Sequence, residues 1–215
     1  MRDRIIADAE AALKSKEFER AISLLTSLAN AGDAEAQFRL GSLYFEGVDM
    51  PSAVAYEWLN KAADQNHAEA CYKLACFSGS GNFILNRTDE EVRLMLLRAA
   101  ELGSVSAQCS LGSYYATGEL SCPRNLKEAA KWYGRAANAG NPDAQYELGF
   151  MLLLGDGVEK DTTKAVCLIE EAAKQRHEDA VRLLVDVYRK GSYGVVRSAE
   201  LADYWARRAR KGVAH

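Results

Sequence analysis

Apolar residues recur along the chain at helical spacing, in pairs of segments. In the clearest copy, residues 125–154, Ala129 and Ala136 fall on one face of a first predicted helix, while Ala144 falls on the buried face of a second. Asn141 stands between them as a predicted N-cap, because its side chain can accept a hydrogen bond from a free backbone N–H of the second helix. The pattern predicts two antiparallel helices joined by a tight turn.

Two motifs repeat this helix pair at a nearly constant interval. An Ala-Ala pair near the end of one helix begins at Ala62, Ala99, Ala136 and Ala172, a spacing of 36 or 37 residues. The other helix carries the pattern A-x-x-x-L-G-x-x-Y-x-x-G, and we call the helices with this pattern the ladder helices. Their first alanines are Ala36, Ala70, Ala107, Ala144 and Ala180.

The repeats predict an all-α fold, a right-handed α-solenoid of about six antiparallel helix pairs. A single pair cannot hide its apolar stripe, so neighbouring pairs must stack and bury a continuous core. We expect one domain over residues 1–215, in which an N-terminal capping pair precedes five repeats. The capping pair is residues 1–33, and the repeats are residues 34–66, 67–103, 104–140, 141–176 and 177–212.

The two motifs together resemble the Sel-one-like repeat (SLR) family, which is related to the tetratricopeptide (TPR-like) repeats. The resemblance covers about residues 33–212, with Ala75 and Val185 in place of the ladder glycine and Ser78 and Leu152 in place of the tyrosine. It implies a non-enzymatic scaffold or adaptor that binds a protein or peptide partner. A bacterial immunity protein that neutralises a secreted, type VI-like effector is a second function that the resemblance implies.

The resemblance also implies that the ladder helices line a concave groove. Positions two, six and nine residues beyond each ladder alanine would then face the partner, and the groove would be aromatic in its middle and basic at its C-terminal end. The competing interpretation is that these aromatic side chains pack between repeats. The predicted partner-binding residues are Phe38, Phe45, Tyr72, Cys109, Tyr146, Phe150, Leu153, Arg182 and Arg189.

Charge and composition exclude some classes of function. The formal net charge of −3 argues against a nucleic-acid-binding surface, which needs concentrated basic charge. No apolar segment is long enough to span a membrane, and the N-terminus lacks the apolar core of a secretion signal. We therefore expect a cytoplasmic protein, with a periplasmic location open for a mature chain, and the sequence leaves the oligomeric state open.

Catalytic and ligand-binding residues are few. His67 and His177 stand at predicted helix N-caps, and His215 is the last residue. The glycine-rich segments 79–81 and 155–157 lack the lysine of a phosphate-binding loop, and the five cysteines form no CxxC pair. We expect no metal and no cofactor; a ligand-binding or hydrolytic enzyme that uses His67 or a cysteine is the alternative from another class.

Acidic residues near the start of the ladder helices allow two interpretations. They could form an acidic stripe that binds a basic partner. Alternatively, each could only complement the positive end of its own helix dipole. These residues are Glu35, Glu69, Asp143 and Asp179.

Overall fold

The computed structural model describes residues 1–79 and 87–211, and it is all-helical over these residues. The described ranges contain twelve α-helices, two short 3₁₀ segments and no strand. The predicted all-α class is confirmed. In the segment Gly79-Ser80-Gly81, Ser80 and Gly81 lie outside the described residues, and Gly81 is the glycine that closes the ladder in this repeat. Gly212 and His215 also lie outside the described residues.

The chain divides into two compact units, Met1–Ala107 and Gln108–His215. In the first unit each helix packs against the next one in sequence, as expected of antiparallel pairs joined by short loops. A 3₁₀ segment, Leu43–Glu46, continues from the end of the third helix. The helices of the first unit are α1 Arg2–Lys14, α2 Phe18–Asn30, α3 Ala34–Ser42, α4 Ser52–Asp64, α5 Ala68–Gly79 and α6 Asp89–Glu101.

The second unit repeats this arrangement. The division between the units falls inside α7, and α8 to α12 again pack in sequence order. The other 3₁₀ segment, Ser192–Gly194, follows α11. The helices are α7 Val105–Thr117, α8 Leu126–Asn138, α9 Pro142–Leu154, α10 Thr162–Lys174, α11 Glu178–Lys190 and α12 Ala199–Lys211.

Small residues mark the points where the helices approach each other. The first alanine of every ladder helix is fully buried, as is the first alanine of each Ala-Ala pair. At Gly149 an added Cβ would lie 2.6 Å from Ile169 Cγ1 and 3.0 Å from the Ala165 carbonyl oxygen, so α10 packs directly on the α9 backbone. Gly41 stands in the same relation to Leu59 of α4. The ladder glycine is therefore required by packing.

The predicted helix ends are confirmed. Asn141 accepts a hydrogen bond from the Ala144 N–H, and the other predicted caps, His67 and His177, each accept one from the third residue of their helix. Asp33 and Ser104 cap α3 and α7 in the same way. The glycine that closes the ladder has positive φ in the four described copies, where a side chain would be strained. The four glycines are Gly47, Gly118, Gly155 and Gly191.

Candidate protein-binding surface

Three aromatic side chains occupy the same position on different ladder helices. Phe38 of α3, Tyr72 of α5 and Tyr146 of α9 each lie two residues beyond the ladder alanine, and all three are half-buried. Phe150, one turn further along α9, is also half-buried, and its ring stacks on Tyr146 at a centroid distance of 6.3 Å. Each of these rings keeps part of its surface accessible.

Two of these rings also pack across a repeat boundary. Phe38 stacks on the imidazole of His67 at 4.5 Å, and Tyr146 stacks on His177 at 4.8 Å. The histidine in each case begins the next ladder helix. Packing between repeats, the competing interpretation of the aromatic residues, therefore holds for one face of Phe38 and of Tyr146.

Both ring nitrogens of His67 have structural contacts. Nδ1 accepts a hydrogen bond of 3.2 Å from the Ala70 N–H, which places the proton on Nε2, 3.0 Å from Glu35 Oε2. His177 repeats the arrangement, with the Ala180 N–H on Nδ1 and Asp143 Oδ1 3.2 Å from Nε2. These nitrogens are already used in capping and pairing, so neither is available as a general base.

Phe45 lies on an aromatic cluster of the first unit. Its side chain is 38% exposed, and its ring meets the buried Phe77 edge-to-face at 4.9 Å. The Lys73 ammonium lies over the Phe45 ring, 4.6 Å from the ring centroid. Phe45 belongs to the 3₁₀ segment Leu43–Glu46, which winds more tightly than an α-helix.

The prediction for Leu153 is wrong. Leu153 is 1% exposed and belongs to the core of the second unit, together with the buried Met151 and Leu152. Unlike α3, α9 stays α-helical through its last turn, and three successive side chains there are covered. Leu153 therefore cannot contact a partner.

The predicted basic end of the groove carries mostly compensated charge. Arg182 is exposed, but its guanidinium lies 2.9 Å from Glu178 Oε2 and 3.1 Å from Asp179 Oδ1 on the same helix. Lys190 likewise lies 3.8 Å from Asp186 Oδ2. Arg189 is exposed, as predicted for a residue that meets a partner. The expectation of a basic C-terminal end is corrected for Arg182, because acidic neighbours balance its charge.

Three of the five cysteines have thiols with a raised pKa. All five cysteines are free thiols. Burial raises the pKa of Cys109 to about 11, with further contributions from Asp143 and Glu147, and burial also raises the pKa of Cys71 and of Cys76. These three thiols are therefore protonated at neutral pH, whereas a catalytic cysteine needs a depressed pKa. Cys109 is half-buried on α7, with the neighbouring acids of α9 close enough to affect its thiol.

The first eight residues of α3 and α9 have similar sequences and share the same contacts. They are AEAQFRLG in α3 and PDAQYELG in α9. Gln37 donates to the Ala29 carbonyl and accepts from Gln65, and Gln145 does the same with the Ala137 carbonyl and Gln175. We call Glu35, Phe38, Arg39 and His67 the α3 face. We call Asp143, Tyr146, Glu147, Phe150 and His177 the α9 face.

The two faces differ in charge at one position. On the α3 face Arg39 joins two carboxylates, with Nε 2.5 Å from Glu35 Oε1 and Nη2 2.7 Å from Glu10 Oε1. On the α9 face this position is Glu147, which pairs with no lysine or arginine among residues 1–77 and 87–208, whose side chains the structure describes. The α9 face therefore lacks the cation that balances the α3 face.

Glu147 lies among the ladder helices of the second unit. Burial raises the pKa of its carboxyl, the charges of Asp143 and Asp179 add to the rise, and His177 opposes it. Glu147 in turn raises the pKa of Cys109 and of Tyr146, which burial raises first. Sequence reasoning missed Glu147, although alignment of α3 with α9 exposes the exchange of arginine for glutamate.

The described residues contain neither a membrane-spanning helix nor a group of metal-binding side chains. None of the helices in residues 1–79 and 87–211 is both long and apolar enough to cross a membrane. Within the same ranges, His, Cys, Asp and Glu side chains nowhere come together in a group of three that could hold a metal ion.

Known proteins share this architecture. A solved Sel1 repeat protein from Oxalobacter formigenes is 29% identical and matches with a TM-score of 0.78, covering 89% of this chain and 78% of that one. An immunity protein from Pseudomonas aeruginosa matches with a TM-score of 0.68 over 97% of this chain and 80% of its own. At 24% identity this second match shows the fold alone.

A similar sequence occurs in a much longer protein. A chitin synthase regulator of Malassezia restricta is 34% identical over 134 residues, which is 60% of this chain. The matched part is only 9% of that regulator's length.

The family model named Sel1 repeat matches five segments, which together make up more than half of the chain. The segments are residues 34–67, 68–91, 105–141, 142–177 and 186–212. With the ladder helices and the matching solved fold, this shows that the chain belongs to the Sel1 repeat family.

Proposed function

We propose that this chain is a non-enzymatic scaffold that binds a protein partner through the exposed side of its ladder helices. Sel1 repeat proteins generally mediate protein–protein interactions. The observation that carries the proposal is the register of Phe38, Tyr72 and Tyr146, which places a half-buried aromatic ring at the same point of three ladder helices. Partly exposed aromatic side chains on rigid helices are typical anchors of protein interfaces.

The aromatic rings are held in position before any partner binds. The Tyr146 ring stacks on both Phe150 and His177, and the Phe38 ring stacks on His67. Rings that are already fixed lose little side-chain entropy on binding. Such a surface is suited to hold a partner, and catalysis is not needed to explain any of its residues.

The enzyme alternative has less support from the site. Sel1 repeat scaffolds are typically non-enzymatic. The ring nitrogens of His67 serve a helix cap and a carboxylate, and the pKa of the half-buried Cys109 is raised rather than lowered. Neither group has the environment of an activated base or nucleophile.

A cytoplasmic scaffold and an immunity protein are specific forms of this proposal. The immunity hypothesis rests on the family resemblance, since the similarity to the Pseudomonas aeruginosa protein concerns architecture. Co-expression with a toxin encoded beside this chain tests it: survival of the cells supports immunity, and continued toxicity contradicts it.

Affinity capture from the native cell tests the general proposal. Partners recovered by the wild-type chain are quantified by mass spectrometry and compared with those recovered by Phe150→Ala and by Tyr72→Ala. We expect each variant to keep the helical circular dichroism and at least one of them to weaken a purified partner by about tenfold or more, as for an interface hot spot. Equal affinity of the wild type and both variants contradicts the proposal.

Matched controls come from exposed apolar residues on other helices. Leu94 of α6 is 53% exposed and Tyr204 of α12 is 47% exposed, and neither belongs to a ladder helix. We expect Leu94→Ala and Tyr204→Ala to bind the same partner as the wild type does. A loss confined to these controls would place the interface on the other side of the helix pairs.

A further inference from the structure

The α9 face has one carboxylate without a lysine or arginine partner, that of Glu147, beside two stacked aromatic rings. Burial raises the pKa of Glu147, the charges of Asp143 and Asp179 raise it further, and the imidazole of His177 opposes the rise. Arg182, the nearest arginine on α11, is already held by Glu178 and Asp179. The face is therefore acidic as well as aromatic.

The α3 face shows which group balances such an arrangement. There an acid, an aromatic ring and an N-cap histidine occupy the same places, and Arg39 joins Glu35 to Glu10. A guanidinium suits this environment because it pairs with two carboxylates in one plane and stacks on aromatic rings. On α9, the arginine position of α3 is occupied by Glu147, so no guanidinium comes from the helix itself.

We propose that the α9 face binds an arginine side chain of a partner protein, with Glu147 and Asp143 as carboxylate acceptors and Tyr146 and Phe150 as the aromatic surface beside it. The inference deepens the proposed function and rests on it. The partner's guanidinium takes the role on the α9 face that Arg39 has on the α3 face. Glu147 provides the acceptor whose charge the described chain leaves without a lysine or arginine.

Energetic considerations favour arginine over lysine and over a purely apolar residue. Guanidinium is more weakly hydrated than ammonium, so it loses less on moving to a half-buried site. An apolar residue would leave the half-buried Glu147 carboxylate covered without a partner, which is costly. Electrostatic complementarity of this kind chooses the partner, while the stacked rings contribute the contact area.

A random 12-residue peptide library displayed on phage tests the proposal with the full chain as target. We expect the selected peptides to be enriched in arginine next to an apolar residue. A synthetic peptide from this selection is then compared with the same peptide carrying citrulline, the neutral isostere of arginine. Fluorescence anisotropy should show about tenfold weaker binding of the citrulline peptide to the wild-type chain.

The variant Glu147→Gln completes a double-mutant cycle with the arginine and citrulline peptides. The change keeps the shape of the side chain and removes its charge. In this variant the arginine and citrulline peptides should bind with affinities within about twofold of each other. Glu147→Arg should also lose the arginine peptide, since it supplies the cation from within the chain. The matched control is Glu171→Gln on α10, where the exposed glutamate pairs with Lys174. This variant should keep the tenfold preference for the arginine peptide over the citrulline peptide.

The proposal is overturned if arginine is not enriched, or if citrulline weakens binding equally in the wild type and in Glu147→Gln. Binding that is insensitive to Glu147 but lost in Phe150→Ala overturns the arginine proposal and leaves the proposed scaffold function intact. Binding that is insensitive to every ladder-helix variant contradicts both proposals.

Discussion

Glu147 of α9 occupies the position that Arg39 occupies in α3, within two helix starts that otherwise share the same N-cap, glutamine and glycine contacts. The framework residues fix the spacing of the helices, so this exchange changes charge without changing the packing beneath it. The difference therefore separates residues that build the repeats from a residue that is free to serve recognition.

The substitution Glu147→Arg should stabilise the chain, because it restores the pairing seen between Arg39 and Glu35. The new guanidinium would face Asp143 one turn earlier, as Arg39 faces Glu35. We expect the free energy of unfolding at pH 7 to rise by up to about 1 kcal/mol, measured by urea denaturation. Glu171→Arg, which breaks the pair with Lys174, should not stabilise the chain, and an equal rise in both variants would contradict the account.

The substitution Glu147→Gln should increase stability at neutral pH and not at acid pH. Burial raises the pKa of Glu147 in the folded chain above its unfolded value, so the folded state binds this proton more tightly. The stabilisation that comes from this proton is complete below the pKa of Glu147 in the unfolded chain. It is lost as the pH rises through the pKa of Glu147 in the folded chain. Urea denaturation between pH 4 and pH 7 should show the advantage of the variant growing with pH; a constant difference would be inconsistent with this explanation.

Removal of the His67 side chain should weaken α5 and alter the response to acid. His67→Ala loses the cap on the Ala70 N–H, which we expect to cost about 1 kcal/mol at pH 7. It also removes the hydrogen bond that is the first cause of the lowered pKa of Glu35. The stabilisation by that carboxylate is present above its unfolded pKa and is lost as the pH falls through the folded pKa.

The variant should therefore lose less further stability than the wild type on acidification from pH 6 to pH 3, as measured by thermal unfolding. His67→Asn is the control, since asparagine is also a good N-cap. It should recover most of the loss at pH 7 without restoring the bond to Glu35. A His67→Ala chain as stable as the wild type at pH 7 would disprove the capping role.

Two glycines of the second unit should respond in opposite directions to alanine. Gly149→Ala would press its Cβ against Ile169 and the Ala165 carbonyl, which we expect to destabilise the chain by about 1–3 kcal/mol. Gly134, inside α8, has only Leu148 Cδ2 at 4.0 Å from such an atom. Gly134→Ala should stabilise by about 0.5–1 kcal/mol, since alanine is the better helix former. Melting temperatures that change in the same direction would contradict this packing.

Local sequence patterns were enough to predict the helices, the caps and the buried alanines, because these depend on contacts within one or two repeats. Asn141 and His177 identify helix starts by their chemistry, and Gly149 identifies the close approach of α10. The fold class follows from the repetition of these signals. The order of the elements needed no long-range information.

The surface was harder to predict, because exposure depends on the neighbouring helices. Leu153 has the same ladder position as the exposed Phe45, yet Leu153 is buried in an α-helical turn while Phe45 lies in a 3₁₀ segment. Arg182 does not provide a basic end, because Glu178 and Asp179 of the same helix pair with its guanidinium. Glu147 carries no motif of its own, and only its comparison with Arg39 reveals it.

Site-specific photo-crosslinking in the native cell tests the central claim most directly. p-Benzoylphenylalanine is placed at Phe150 in one chain and, as the matched control of the same unit, at Tyr204 in another. The account predicts a crosslink to a partner protein from position 150 and none to that partner from position 204. A crosslink from position 204 with none from position 150 would contradict binding through the ladder helices.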